Sequence, residues 1–73
     1  MKHITEPSWT EEGDITYFSI DGERAGCVFY DENILAWNGQ YIDREGTVRY
    51  CESYTTKEYM MKAVVKRWHW ANE

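Results

Sequence analysis

The sequence predicts an α+β domain: a four- to five-stranded antiparallel meander with one C-terminal amphipathic helix packed on one face. Three observations carry this. Residues 55–71 repeat apolar side chains with a helical period. Residues 14–54 break into short strand-like runs separated by turn dipeptides. The connections between those runs are all short, which favours sequential antiparallel pairing. At 73 residues the chain is one domain, and a chain of this size buries only roughly 60% of its unfolded surface.

The first 13 residues have weak periodicity. Lys2–Thr5 is expected to form a short edge strand, ended by Pro7, which cannot donate to a ladder. Ser8–Gly13 reads as a loop holding Trp9, which either lids one end of the core or meets a partner. Asp14–Ile20 and Glu23–Tyr30 flank Asp21-Gly22, a two-residue hairpin signal. Counting back from that turn sets Ile20 opposite Glu23, Phe18 opposite Ala25 and Thr16 opposite Cys27. One face then carries Phe18, Ile20, Ala25, Cys27 and Phe29 and is taken as the core face. The other carries Ile15, Tyr17, Val28 and Tyr30, which is apolar for a solvated face. It is either covered by the N-terminal segment or used to form a homodimer.

Asp31-Glu32-Asn33 makes the next turn. Ile34–Trp37 and Gln40–Ile42 flank Asn38-Gly39, read as a second hairpin turn. After Asp43–Gly46 the last strand runs from Thr47 to Tyr54. Thr55 and Glu58 have capping-box spacing, with Tyr54 and Tyr59 placed as a hydrophobic staple. Met60, Met61, Val64, Val65, Trp68 and Ala71 form the stripe that faces the sheet. Trp70 lies off this stripe. Either the helix frays after Trp68 and Trp70 folds back over the sheet edge, or Trp70 contacts a partner, a role in which Trp is over-represented.

Net charge is −5, unevenly spread. Residues 1–32 hold eight acids against Lys2 and Arg24. Residues 56–73 hold four Lys and Arg against Glu58 and Glu73. The chain is acidic in front and basic on its helix. His3, His69, Cys27 and Cys51 could in principle bind zinc, but no two of them share a short loop, so no metal or other cofactor is expected. Cys27 and Cys51 are expected to be reduced and buried. No Ser or Cys sits in a nucleophile motif and adjacent carboxylates in loops make no acid–base pair, so no enzyme is expected. No run is long and apolar enough to span a bilayer, no signal peptide is evident, and a cytoplasmic location is expected.

The expected function is binding to another protein's surface. The acidic front (Glu11, Glu12, Asp14, Asp31 and Glu32) and the aromatics Trp9, Tyr17, Tyr30 and Trp70 are the candidate contacts. The carboxylates either mimic phosphate toward a nucleic-acid-binding protein or simply solubilise the chain. In size, acidity and simplicity the protein is similar to small phage- or prophage-encoded inhibitors of host enzymes or defence complexes, which would place it in a host cytoplasm. The alternative is nucleic-acid binding through Tyr59, Lys62, Lys66, Arg67 and Trp70. In patterning, Gly46–Tyr59 (GTVRYCESYTTKEY) resembles the last strand and helix start of AP2-type and integrase arm-binding domains. That resemblance implies basic side chains on an exposed sheet face. Arg24, Arg44 and Arg49 are the candidates here, among more acids. A chain at −5 is poorly equipped for phosphate neutralisation.

Overall fold

The structure is a computed structural model that describes residues 6–73; the expected Lys2–Thr5 strand and His3 lie outside the described residues. Five strands, β1 (Ser8–Glu12), β2 (Ile15–Ile20), β3 (Glu23–Asp31), β4 (Ala36–Ile42) and β5 (Val48–Tyr54), form one antiparallel sheet in sequence order. The helix α1 (Lys57–Asn72) crosses one face of the sheet over β3, β4 and β5.

The core lies between that face and α1. Phe18, Val28, Met60 and Val64 are fully buried in it, with Ile20, Ala25 and Cys51 beside them. The helical stripe is as expected: Met60 and Val64 point straight down, while Met61, Val65 and Trp68 pack at the margins. Thr56, one residue later than expected, is the N-cap; its hydroxyl accepts from the amide of Tyr59 at 3.3 Å. Tyr54 and Tyr59 stack with ring centres 6.3 Å apart.

Ser8–Glu12 is a strand, not a loop. It pairs along its whole length with β2, from Ser8–Ser19 to Glu12–Ile15. The hairpin turn is Gly13-Asp14, with Gly13 at φ 63° in its first central position, where a two-residue turn of this kind needs glycine. Trp9 falls on the helix side of β1 and packs on Phe18, ring centres 5.2 Å apart, lidding that end of the core.

The Asp21-Gly22 turn forms with both residues at positive φ and Ile20 opposite Glu23. Beyond it the register departs from the simple count. Ser19 faces Arg24, but Phe18 faces Gly26, so Ala25 is an extra residue on β3. A bulge moves every later side chain to the other face. Val28 therefore enters the core, while Cys27 and Phe29 turn to the helix-free face beside Tyr17 and Ile15. Tyr30 goes to the helix side, edge-on to Trp37 at 5.4 Å. Gly26 sits under the Phe18 ring and the Gln40 carbonyl, where a Cβ would collide with both.

Asn38-Gly39 is not a turn. β4 runs through it without a break and pairs with β3 from Gly26–Tyr41 to Asp31–Ala36. Gly39 faces α1, and a Cβ there would lie 2.6 Å from Met60 Cε and 3.3 Å from Val64. The glycine lets the helix approach the sheet. Asn38 is held by its neighbours: its amide donates to Asp31 at 3.0 Å and it bonds Ser53 on β5. Ile34 and Leu35, expected in a strand, lie in the four-residue β3–β4 turn.

β5 also carries an extra residue, between Gly39–Cys51 and Trp37–Tyr54. As a result Cys51 and Glu52 both face the helix, and Glu52 takes two contacts from Arg67, at 2.6 and 2.8 Å. Cys27 and Cys51 are free and buried on opposite faces of the sheet. Burial, reinforced by Glu52, pushes the Cys51 thiol up to about 11 from an ordinary 9.0. The native state thus holds this proton more tightly than the unfolded chain does. Its stabilising contribution is present below pH 9.0 and is lost as pH rises through about 11. At pH 8, Cys51 should react with iodoacetamide at least about tenfold more slowly than in the urea-unfolded chain, since thiolate is the nucleophile; equal rates would contradict this placement.

Asp43 fixes the β4–β5 loop. One carboxylate oxygen accepts from the amides of Glu45 and Thr47, each at 2.9 Å, and the other accepts from Arg49 Nε at 2.9 Å. The Arg49 hydrogen bond, helped by the loop amides, holds its carboxyl below the usual 3.8.

Candidate functional site

Three chain segments distant in sequence meet at one end of the sheet. The β1–β2 turn brings Glu11 and Asp14, the end of β3 and its turn bring Tyr30 and Glu32, and the start of α1 brings Lys57. With Trp37 they surround a hollow of about 330 Å³. Lys57 Nζ bonds Glu11 at 3.1 Å and lies 5.5 Å from the centre of the Trp37 ring. This lysine is fixed between a carboxylate and an indole. Asp14 and Glu32 have no side-chain partner among the described residues, so the hollow carries two uncompensated carboxylates. The positive pole of α1 opens beside them, which favours negative charge there.

The β3–β4 turn projects from the same end. It is shaped by Asp31, whose carboxylate accepts from the Asn33 amide at 2.9 Å and from the Asn38 side chain. Ile34 and Leu35 stand in solvent, Leu35 at 71% exposure and with φ 53°. A leucine in this left-handed region costs about 1–3 kcal/mol, and such conformations gather at binding sites.

The five expected acidic contacts are therefore divided. Glu11, Asp14 and Glu32 converge. Asp31 is built into the turn. Glu12 faces the helix-free side and bonds Arg24 at 3.0 Å, while Arg24 lies 3.7 Å over the Tyr17 ring.

A second, more apolar surface runs along the flank of α1. Pro7 and Trp9 on one side and Met61, Val65 and Trp70 on the other enclose an open groove of about 570 Å³. Lys62, Lys66 and His69 line its middle, Glu58 and Glu73 its ends. Trp70 does not fold back over the sheet edge. The helix continues to Asn72, whose side-chain amide donates to the carbonyls of Trp68 at 2.9 Å and Ile42 at 3.0 Å and so ties the helix end to β4. Trp70 remains 58% exposed, with the Lys66 ammonium 5.2 Å from its ring centre. Tyr59 is exposed on the same solvent side. Arg67, by contrast, is committed to Glu52.

Trp37 and Lys57, which line the hollow, and Ile34 and Leu35, exposed on the turn beside it, are not singled out by the sequence reading. Gly13-Asp14 is the signal that could have placed β1 and with it the acidic hollow.

Among the described residues, no group of three or more His, Cys, Asp and Glu is arranged to hold a metal ion, and no helix is long and apolar enough to cross a membrane. Comparison with protein-family models, with curated proteins and with solved structures gives no match for this chain.

Proposed function

We propose that this protein acts by binding, and that the end of the sheet around Asp14, Glu32 and Leu35 occupies a basic site on a partner protein. The partner class is one that handles nucleic acid, and the mode is that of a phage- or prophage-type inhibitor. The observation that carries the reading is the convergence of Glu11, Asp14 and Glu32 on one hollow floored by aromatic rings, with two exposed aliphatic side chains on a strained turn beside it. Carboxylates spaced around a hollow present acceptor oxygens where a phosphate backbone would, and Leu35 adds apolar contact that a phosphate lacks. Such a surface gains association rate from charge and residence time from apolar burial.

The test is capture on immobilised protein followed by elution with heparin, a polyanion that competes for basic nucleic-acid sites. Proteins released by heparin, and missing when Asp14→Lys/Glu32→Lys protein is the bait, support the reading. A partner that heparin does not release and the charge reversal does not weaken overturns it.

A second reading, nucleic-acid binding through the helix, rests on Tyr59 and Trp70. Both are exposed, about 16 Å apart along the helix axis, with Lys62 and Lys66 between them and no carboxylate partner for either lysine among the described residues. Exposed aromatics with interleaved cations suit stacking on single strands. A mobility-shift assay with single-stranded and duplex DNA and RNA decides it. Micromolar binding at physiological salt that weakens with Lys66→Ala favours this reading over the first.

A further inference from the structure

The side chains of β2 that face the helix are Thr16, Phe18 and Ile20, all buried. Phe18 and Ile20 belong to the apolar core. Thr16 is the one buried residue of polar type among the described residues, at 5% exposure. It lies opposite Glu11 on β1 and Val28 on β3. Valine has the same branched shape and would suit this position by packing alone. The hydroxyl needs another reason, because a buried polar group without a partner is a cost. Among the described residues the Thr16 hydroxyl has no hydrogen-bond partner, yet no fully enclosed side-chain oxygen or nitrogen is left without one. Its oxygen therefore keeps an opening, and the space it borders is the acidic hollow at the end of the sheet. Resting on the reading of this end as a binder of basic sites, we infer that the hollow receives one arginine side chain of the partner, with the Thr16 hydroxyl accepting from its guanidinium.

The hollow has the charge for a cation. Glu11, Asp14 and Glu32 bring carboxylates to it, and only Glu11 is neutralised, by Lys57 at 3.1 Å. The start of α1 adds about half a positive charge, which leaves the hollow negative. Its acceptors stand apart around the rim. Among the described residues no group of three or more acids, cysteines and histidines is arranged to hold a metal ion. Separated acceptors suit a cation that spreads its donors over a plane. Guanidinium is that cation: its N–H groups form a rigid fork that takes carboxylates bidentately and leaves further donors for a hydroxyl.

The aromatic wall favours the same group. Tyr30 and Trp37 meet edge to face, with ring centres 5.4 Å apart and planes at 68°, and so form a corner. The Lys57 ammonium already lies 5.5 Å from the Trp37 ring centre, so this wall accepts a cation. A guanidinium stacks on a ring face over its whole plane, whereas an ammonium meets it as a point charge. The volume of about 330 Å³ is at the small end for a ligand site and suits one long side chain. Arginine is also the residue that grips phosphate in nucleic-acid sites. A pocket that takes it withdraws it from that role.

The experiment titrates the full chain with acetyl-Gly-Arg-Gly-amide at low salt. It follows the Thr16 amide and the Trp37 indole N–H by two-dimensional NMR. Both signals should move together and saturate with a Kd of about 1 mM, the strength of one side chain in a small site. The matching lysine peptide should bind at least about fivefold more weakly, because it lacks the fork. The citrulline peptide, of similar shape but uncharged, should move neither signal. Thr16→Val should weaken the arginine peptide about tenfold, as for loss of a hydrogen bond to a charged group. Its melting temperature should equal or exceed that of wild type, because only an unpartnered hydroxyl is removed. Asp14→Asn/Glu32→Gln should weaken binding at least about tenfold. Unmoved signals at about 20 mM arginine peptide overturn the inference. So do arginine and lysine peptides that bind alike, or a Thr16→Val protein that binds as wild type does. A Thr16→Val protein that melts several degrees lower overturns it too, since the hydroxyl would then serve the fold. The titration needs no partner, so failure here strikes the pocket and leaves the heparin elution to judge the wider reading. Arginine binding by a chain from which heparin elutes no partner keeps the pocket and sinks that reading.

Discussion

Val64→Asp should abolish cooperative folding. Val64 has no exposed surface and lies against Gly39 and the core formed by Phe18, Val28 and Met60. A carboxylate there has no cation to meet and no water, and an uncompensated buried charge costs several kcal/mol or forces its own protonation. Total stability of small domains is about 5–15 kcal/mol, and short chains lie at the low end. The expected result is a flat thermal profile by near-ultraviolet circular dichroism. Val64→Ala, which removes only methyl groups, should cost about 2 kcal/mol and keep its transition. A Val64→Asp protein with a sharp transition near that of wild type would contradict the placement of α1 on the sheet.

Gly39→Val should be nearly as damaging, and for a reason that separates two readings of Asn38-Gly39. In a hairpin turn the glycine would sit at positive φ, and substitution would act through the backbone. Here Gly39 has ordinary strand backbone; the glycines at positive φ are Gly13, Gly22 and Gly46. Its Cβ position is instead filled by Met60 and Val64. Overpacking of this kind costs about 1–3 kcal/mol, and a branched side chain against the buried face of a helix belongs at the upper end. The cost should couple to Met60: with Met60→Ala in place, Gly39→Ala should destabilise measurably less than in wild type. Equal effects in both backgrounds would mean that the helix does not press on Gly39.

Asn38-Gly39 also shows where the sequence was misleading. The dipeptide is a strong local turn signal, but a nine-residue β3 needs a partner of comparable length, and Ala36–Ile42 supplies it only if the chain runs straight through Asn38-Gly39. Helix packing, a tertiary demand, explains the glycine. Asp21-Gly22 was legible because nothing competes with it there. The helical stripe was legible because six apolar positions agree on one face. The bulge at Ala25 was not, since an extra residue leaves no mark on alternation until both faces are known. It exchanged Val28 for Cys27 and Phe29, so the apolar outer face was foreseen with partly wrong members. The acidic front was legible as composition. Its division into converging residues (Glu11, Asp14, Glu32), a turn residue (Asp31) and an outward ion pair (Glu12) depends on β1 pairing with β2, and the weak periodicity of Ser8–Glu12 does not mark that segment as a strand.

The association rate with a captured partner, measured for wild type and for Asp14→Lys/Glu32→Lys at low and at moderate salt, bears most directly on the proposed mode of action. Steering by the acidic end requires the double variant to associate at least about tenfold more slowly at low salt, with the difference shrinking as the Debye length falls from about 30 Å at 0.01 M to about 8 Å at 0.15 M. An unchanged association rate at both salts, with binding lost instead on Trp70→Ala, would contradict it and move the contact to the helix flank.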